Sequence, residues 1–506
     1  MTEQRFIKGA LLLTYAGLLS KVLSALYRIP LQNITGDYGF FIYQQIYPLI
    51  GMATIFGLYG MPQAVSRFFT GREINQATTR QIRRLVLGLG ASIAALLYLI
   101  APSLSRLMGT PSLVLAIRLS GLLFILVPNL SLKRGLYQAR GNMGPTAKSQ
   151  LSEQLIRVSV IISSAYLITQ FNQSVEWIAS LSVLASVLGV IVARIVMKGN
   201  EQVSDSLLEG EPNRIPMSTL FNQIVLFGMV MAINHMILLL LQTVDVVSLV
   251  PLLHRVGYST SDAQLLKGVL DRAQPLSQLG VVASSSITLS LVPRVTAARK
   301  NKNQQQFNDS IWYAFKLSLY LSVAATAGLV LLMPKVNMLL FKDTAGTLSL
   351  QIFVFAIVFS SLSVTLATIL QGFNDVYKTA GYVFIGVLSK ALFNLLLIPH
   401  FELHGAALAT VLASLLIFLL HAKRLTEHLK KVRISRFSFR PLLYSLATLI
   451  VSVSVFEGLF QSFFTGVRSH QLFYLIVIIT VGTASFAYVL SKTDPDIKRV
   501  LKDRKR

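Results

Sequence analysis

The chain has 506 residues, of which 53% are hydrophobic and only 13% charged, where soluble domains carry about 25% charged residues. Lys and Arg outnumber Asp and Glu by 46 to 21, a formal charge of +25. There is no cysteine, which excludes disulfides, thiolate metal sites and cysteine nucleophiles.

With a mean hydropathy of +0.63 and apolar runs recurring from end to end, the composition is that of a polytopic membrane protein. A bilayer core of about 30 Å needs roughly 20 apolar helical residues. On that criterion the sequence predicts 14 transmembrane helices, at 7–29, 39–61, 85–104, 113–136, 150–171, 174–197, 218–243, 266–292, 311–333, 348–372, 378–398, 404–422, 441–463 and 471–490. Residues Met1–Ala10 show no signal-peptide cleavage pattern, so the first apolar stretch is read as a span.

The connecting segments fall alternately on two sides. One side, comprising both termini and 62–84, 133–149, 194–216, 294–310, 374–378 and 421–440, holds 33 Lys and Arg, and the other holds five: Arg106, Arg255, Lys335, Lys342 and Arg468. That asymmetry places both termini in the cytoplasm. In a soluble chain a +25 balance would suggest nucleic acid. Here it is explained by basic cytoplasmic loops, and no nucleic-acid partner is expected. The tail, 491–506, is a basic patch suited to anionic lipid.

Two local similarities share one offset. The run GMPQAVSR (Gly60–Arg67) resembles LVPRVTAAR (Leu291–Arg299), and LYQARGNMGPTA (Leu136–Ala147) resembles ILQGFNDVYKTA (Ile369–Ala380). The shift spans six helices, which divides the chain into two parallel six-helix lobes, 1–215 and 217–430, followed by an accessory pair of helices at 441–490. Parallel repeats of this kind are a transporter architecture with the substrate site between lobes.

An ionised group near the bilayer centre costs about 2.5–3.5 kcal/mol even on the lenient insertion scale, so the eight basic residues inside spans are informative. In span 1, Thr14, Lys21 and Arg28 recur every seven residues, close to one helical face, with Ser24 beside them. For Arg28 two readings stand: a cavity cation, or a side chain snorkelling to the outer boundary. Span 8 carries Lys267, Asp271, Gln274, Gln278 and Ser285 on a comparable stripe, with Arg272 beside Asp271 and Pro275 loosening the helix. Asp271 and Arg272 form either a structural pair or an anion-binding arginine oriented by its neighbour.

Glu153 and Arg157 read as a self-neutralising i,i+4 pair. Asp245 on span 7 and Lys390 on span 11 have no opposite charge on their own helix and are expected to meet, with Asn394 one turn after Lys390. That pair is read either as structural or as a coupling switch. His235 is read as a hydrogen-bonded core histidine. The surplus of cations at Lys21, Arg28 and Arg272 points to an anionic substrate such as a phosphate or pyrophosphate. No metal site, cofactor or catalytic constellation is expected.

The segments SKVLSALYRIPL (Ser20–Leu31), YGMPQAVSR (Tyr59–Arg67), LDRAQPLSQLG (Leu270–Gly280) and SLVPRV (Ser290–Val295) resemble the MurJ and SpoVB-like branch of the multidrug/oligosaccharidyl-lipid/polysaccharide exporter superfamily. The resemblance runs over essentially the whole chain, and its most specific element is the Asp-Arg-x-x-Pro segment of span 8. It implies a flippase that carries lipid II or a related undecaprenyl-pyrophosphate-linked sugar across a bacterial cell membrane by alternating access. Lys21, Arg272 with Asp271, and less closely Arg28, stand at the family's cavity positions.

There are departures from the family pattern. Gram-negative members carry further arginines in span 2, and Tyr47–Gly60 has none. Some members bind sodium between an acid on span 7 and an Asn and Asp on span 11. Here Asp245 and Asn394 match two positions, Ile398 stands where the second acid is needed, and Lys390 offers a replacement for the ion. The implied partners are the lipid-linked oligosaccharide and membrane lipids, for a monomer working beside the cell-wall synthesis machinery, with proton or sodium coupling left open. The rivals are a cation-coupled drug exporter, which needs a neutral or acidic cavity, and a membrane glycan polymerase, which needs a substantial outer loop bearing reactive groups.

Overall fold

Backbone amides and carbonyls in hydrocarbon have no water to bond, so a spanning segment must satisfy them within itself, as a helix does. The computed structural model describes residues 3–198, 215–289, 304–429, 438–460, 464 and 467–498, and these form helices with no strand among them. In chain order the helices are α1 (Glu3–Leu26), α2 (Arg28–Ile55), α3 (Met61–Phe69), α4 (Gln76–Leu107), α5 (Val114–Ala139), α6 (Gly144–Gln170), α7 (Trp177–Lys198), α8 (Met217–Leu220) and α9 (Phe227–His235). They continue as α10 (Ile237–Arg255), α11 (Thr260–Asp271), α12 (Ala273–Leu289), α13 (Gln304–Phe341), α14 (Thr347–Phe353), α15 (Ala356–Gly372), α16 (Val376–His428), α17 (Arg440–Phe460) and α18 (Arg468–Thr493). Turns of π-helix join α2 to α3 and α8 to α9.

Twelve stretches among the described residues are long and apolar enough to cross a membrane. Two of them, Leu12–Phe69 with 58 residues and Val376–His428 with 53, would measure about 80 Å or more as straight helices, far beyond one bilayer. Each is divided by a non-helical residue, Gly36 (φ 70°, ψ −177°) and Glu402 (φ 49°, ψ −123°). Glycine adopts the first geometry without steric penalty. The first span runs on past Tyr27, which keeps helical angles, to the break at Gly36.

Spans 7 and 8 depart from expectation. In place of one segment at 218–243, helix continues to His235, breaks at Met236 (φ −121°, ψ 28°) and resumes to Arg255. The outer connection left between the expected spans 7 and 8 is thereby cut to the stretch between Arg255 and Thr260. Span 8 is two shorter helices, α11 and α12, meeting at Arg272. Pro275 has no amide proton to give the carbonyl four residues back. That carbonyl, on Asp271, instead lies 3.4 Å from the Gln44 amide nitrogen. Residues 290–292 of this span, and the repeat segment Leu291–Arg299, lie outside the described residues.

The second repeat match is visible as one turn built twice. After α5 the Gly141 amide donates to Gln138 O (2.9 Å) and the Asn142 amide to Tyr137 O (3.0 Å). After α15 the Asn374 amide donates to Gln371 O (3.0 Å) and the Asp375 amide to Leu370 O (3.1 Å). Gly141 and Asn374 both take left-handed angles, φ 70° and 67°, the conformation that ends many helices and that Gly and Asn adopt most readily.

The chain divides into two compact units, Met1–Pro275 with Val376–Ala409, and Leu276–Asp375 with Thr410–Arg506. In the first, Met61, Val65, Phe68, Ile82, Leu132 and Ile224 form one buried apolar cluster. In the second, Ile311 packs with Leu366, Leu370 and Leu425. There Lys316 joins the segment just past α18 by ion pairs to Asp494 (2.8 Å) and Asp496 (2.6 Å).

Close approach of small residues fixes the packing of α9 on the π turn before α3. A Cβ at Gly60 would run into the Gly228 carbonyl oxygen and come within 2.9 Å of Ala232 Cβ. Gly60→Ala is expected to destabilise the protein by about 1–3 kcal/mol through overpacking, read as a lowered thermal midpoint in detergent.

Candidate functional site

The first unit holds the candidate site residues singled out from the sequence, with the exception of Gln278, which is half-buried on α12 in the second unit. They fall into three clusters.

In the first cluster, Lys21 is half-buried with Nζ 5.1 Å from the centre of the Tyr59 ring, and Tyr59 stacks on His235 at 4.9 Å. Two turns further on, Arg28 is 1% exposed, so it does not snorkel. Its guanidinium lies 3.9 Å from the centre of the Tyr47 ring, and its Nε and Nη2 have no hydrogen-bond partner. The Tyr27 and Tyr43 hydroxyls bond to one another, and Ser24, buried at 7%, bonds to Tyr47.

Arg157 enters the same cluster from α6. Its Nη1 donates to Thr54 Oγ1 at 2.9 Å and its Nη2 to Gln154 Oε1, while Nε is left without a partner. The expected Glu153–Arg157 pair does not form. Glu153 accepts instead from Arg134 on α5 at 2.8 Å, and Arg134 Nε is fixed by Ser149 Oγ at 3.0 Å. Among the described residues no carboxylate pairs with Lys21, Arg28 or Arg157.

The second cluster lies where α11 meets α2. Asp271 and Arg272 do not pair with one another. Lys267 Nζ sits 2.6 Å from Asp271 Oδ2, and Arg272 clasps Asp37 with two bonds, Nε to Oδ1 at 3.0 Å and Nη2 to Oδ2 at 2.5 Å. Asp37 also accepts from Gln32 Nε2 at 3.0 Å. Adjacent residues on a helix point about 100° apart, so Asp271 and Arg272 each meet a partner on their own side.

In the third cluster Lys390 Nζ is 2.8 Å from Asp245 Oδ1 and donates to Ala406 O at 2.9 Å. Asn394 Nδ2 donates to Asp245 Oδ1 at 2.9 Å and to Ser248 Oγ at 2.8 Å. Lys390 and Asn394 are 0% exposed and Asp245 3%. The clusters are coupled electrically: Lys267, Asp245 and Arg28 all act on Asp271, and Lys267 acts on Lys390.

His400 and His404 have a spacing that on an unbroken helix would put both on one face. The break at Glu402 removes that alignment, and no group of three metal-ligating side chains occurs among the described residues.

Residues 6–299 match the model of a family described as polysaccharide biosynthesis protein. A membrane protein of Bacillus subtilis (strain 168), YabM, is 34% identical over 97% of this chain and 94% of its own. This chain belongs to the polysaccharide biosynthesis protein family. The lipid II flippase MurJ of B. subtilis (strain 168) is 25% identical over 96% of this chain and 95% of its own. A solved structure of a lipid II flippase MurJ in an inward closed conformation superposes with a TM-score of 0.66 at 15% identity, covering 97% of this chain and 99% of that one. The all-helical fold expected from the sequence is therefore the fold of that structure.

The sequence reading missed two residues of the site. Asp37 escapes notice as a loop residue, although Gly36 before it signals a break that turns it inward. Arg157 is masked along the chain by Glu153, whose i,i+4 spacing suggests a simple local pairing. The third cluster supplies a direct test. Lys390→Met leaves the buried Asp245 carboxylate without a counter-charge, held only by the Asn394 amide, and is expected to cost about 3–5 kcal/mol. The double variant Asp245→Leu/Lys390→Met is expected to cost less than either single change, measured as a double-mutant cycle of thermal unfolding in detergent.

Proposed function

We propose that this family member is a flippase that carries a lipid-linked sugar precursor with a pyrophosphate head, lipid II or a close chemical relative, from the inner to the outer leaflet of the bacterial plasma membrane. The observation that carries this reading is the buried Arg28 guanidinium, which has two donor atoms without partners and no carboxylate on it. A cation held this way inside the bilayer is stabilised by an anion that arrives from outside the protein. Lys21 on the same face adds a second positive charge. Similarity to a lipid II flippase over 96% of this chain supports the same substrate class.

Arg272 differs from Arg28 in that Asp37 already covers it. In the proposed cycle an arriving pyrophosphate competes with Asp37 for Arg272, and the exchange separates one state of the transporter from the other. A ligand moves such an equilibrium only by binding the two states unequally, and displacement of an internal carboxylate provides that inequality. Lys390 holds a positive charge against Asp245 without a free ion, so the proposed transport does not require sodium. Both termini lie in the cytoplasm, as the loop charges indicate.

Complementation of a strain depleted of its lipid II flippase tests the reading. The parent chain is expected to rescue growth, and Arg28→Ala and Arg272→Ala are expected to fail at normal expression. Loss of a charge-assisted bond of about 1.5–3 kcal/mol corresponds to roughly a tenfold or greater loss of affinity. Full rescue by Arg272→Ala would reject the site. Flipping by the parent in liposomes is expected to persist when sodium is replaced by N-methylglucamine. The chain has no native cysteine, so orientation can be read by thiol labelling: in intact cells a membrane-impermeant maleimide is expected to label Ser261→Cys and spare Lys148→Cys.

A further inference from the structure

We infer that Arg157 is the second guanidinium of the substrate site and that, with Arg28, it brackets the two phosphoryl groups of a lipid-linked diphosphate, with the face of α6 acting as the donor wall. This rests on the reading above that such a lipid is the substrate.

On α6, Gln150, Gln154 and Arg157 follow at steps of four and three and so share one helical face. They are 4%, 2% and 6% exposed. Each carries a buried nitrogen without an acceptor: Gln150 Nε2, Gln154 Nε2 and Arg157 Nε. Arg28 contributes two more, Nε and Nη2. Buried donors are almost always bonded in folded proteins, and each one left without an acceptor costs about 1–3 kcal/mol. Five such nitrogens in one cluster match a ligand that is rich in acceptor oxygens and bears negative charge.

The face of α2 opposite the wall carries Tyr43, Tyr47 and Thr54, spaced by four and seven residues. Arg28 lies over Tyr47 and Arg157 bonds Thr54. Both guanidinium charges act on the same two phenols, Tyr27 and Tyr47, so one anion can feel both. The wall also reaches toward Lys21. A Cβ placed on Gly17 would lie 3.1 Å from Tyr59 Oη, the ring over which Lys21 sits, and 3.6 Å from Gln150 Nε2.

Geometry assigns the guanidiniums to phosphoryl oxygens and not to a sugar alone, because planar donor forks match phosphate. Two such forks favour a diphosphate over a monophosphate. Glu153 does not compensate Arg157, since it pairs with Arg134, which Ser149 fixes in turn.

The test uses the full chain in lipid nanodiscs with two probes, undecaprenyl diphosphate and undecaprenyl monophosphate, and reads the ratio of their dissociation constants. The parent is expected to prefer the diphosphate by about tenfold or more, the value of one charge-assisted contact. Arg157→Gln is expected to reduce that preference below about threefold while leaving monophosphate binding within the same factor. Arg157→Met, which removes an uncompensated buried charge, is expected to keep or raise the thermal midpoint of the ligand-free protein and to lose most of the diphosphate-induced rise.

An unchanged preference in Arg157→Gln would overturn the assignment while leaving the proposed function standing. A parent that binds neither probe would overturn the proposed function, and this inference with it. Should Arg157→Met fail to fold, Arg157→Lys keeps the charge without the fork. Partial loss of preference in that variant supports the assignment, and full retention rejects it.

Discussion

A charge carried into hydrocarbon must meet an opposite charge or a set of dipoles, and the organisation of the first unit follows from how this chain meets that condition. Some cations are closed off internally. Arg134 has Glu153, Lys267 has Asp271 and Lys390 has Asp245, each within 3 Å. Others are left facing aromatic rings and amide groups, which soften the penalty without cancelling it. The division separates cations paired with a carboxylate from those without one, and it places the second group along the first span and the facing side of α6.

The backbone breaks serve this arrangement. Gly36 ends the first span and brings Asp37 to Arg272, and the Pro275 effect on span 8 leaves a carbonyl for Gln44. Pro and Gly in spanning helices are tolerated where neighbours take up the freed backbone groups. Here the neighbour is a glutamine on α2, so the break in span 8 is tied to the helix that also carries Tyr43 and Tyr47.

The sequence made much of this fold legible because hydropathy reports a solvent, and the solvent here is the bilayer. The all-helical character and most span positions follow from periodicity and composition. What it could not show was pairing between helices. The i,i+4 rule joined Glu153 to Arg157, and adjacency joined Asp271 to Arg272, because only near neighbours are visible along one chain. The true partners, Arg134, Lys267 and Asp37, include residues on other helices. The Asp245–Lys390 contact was accessible by elimination, each charge having no counterpart on its own helix. Asp37, outside any predicted span, left no trace of its role except the glycine before it.

The lysine at the third cluster has a thermodynamic consequence of its own. A diffusible ion occupies its site according to its concentration on the side the site faces, and that dependence allows a gradient to drive a cycle. The Lys390 ammonium is bonded to the polypeptide and has no bulk concentration. Its local concentration beside Asp245 is fixed by the chain and is the same whichever leaflet is charged. While the Lys390 ammonium holds Asp245, a diffusible metal cation therefore has no unpaired carboxylate to occupy at this position.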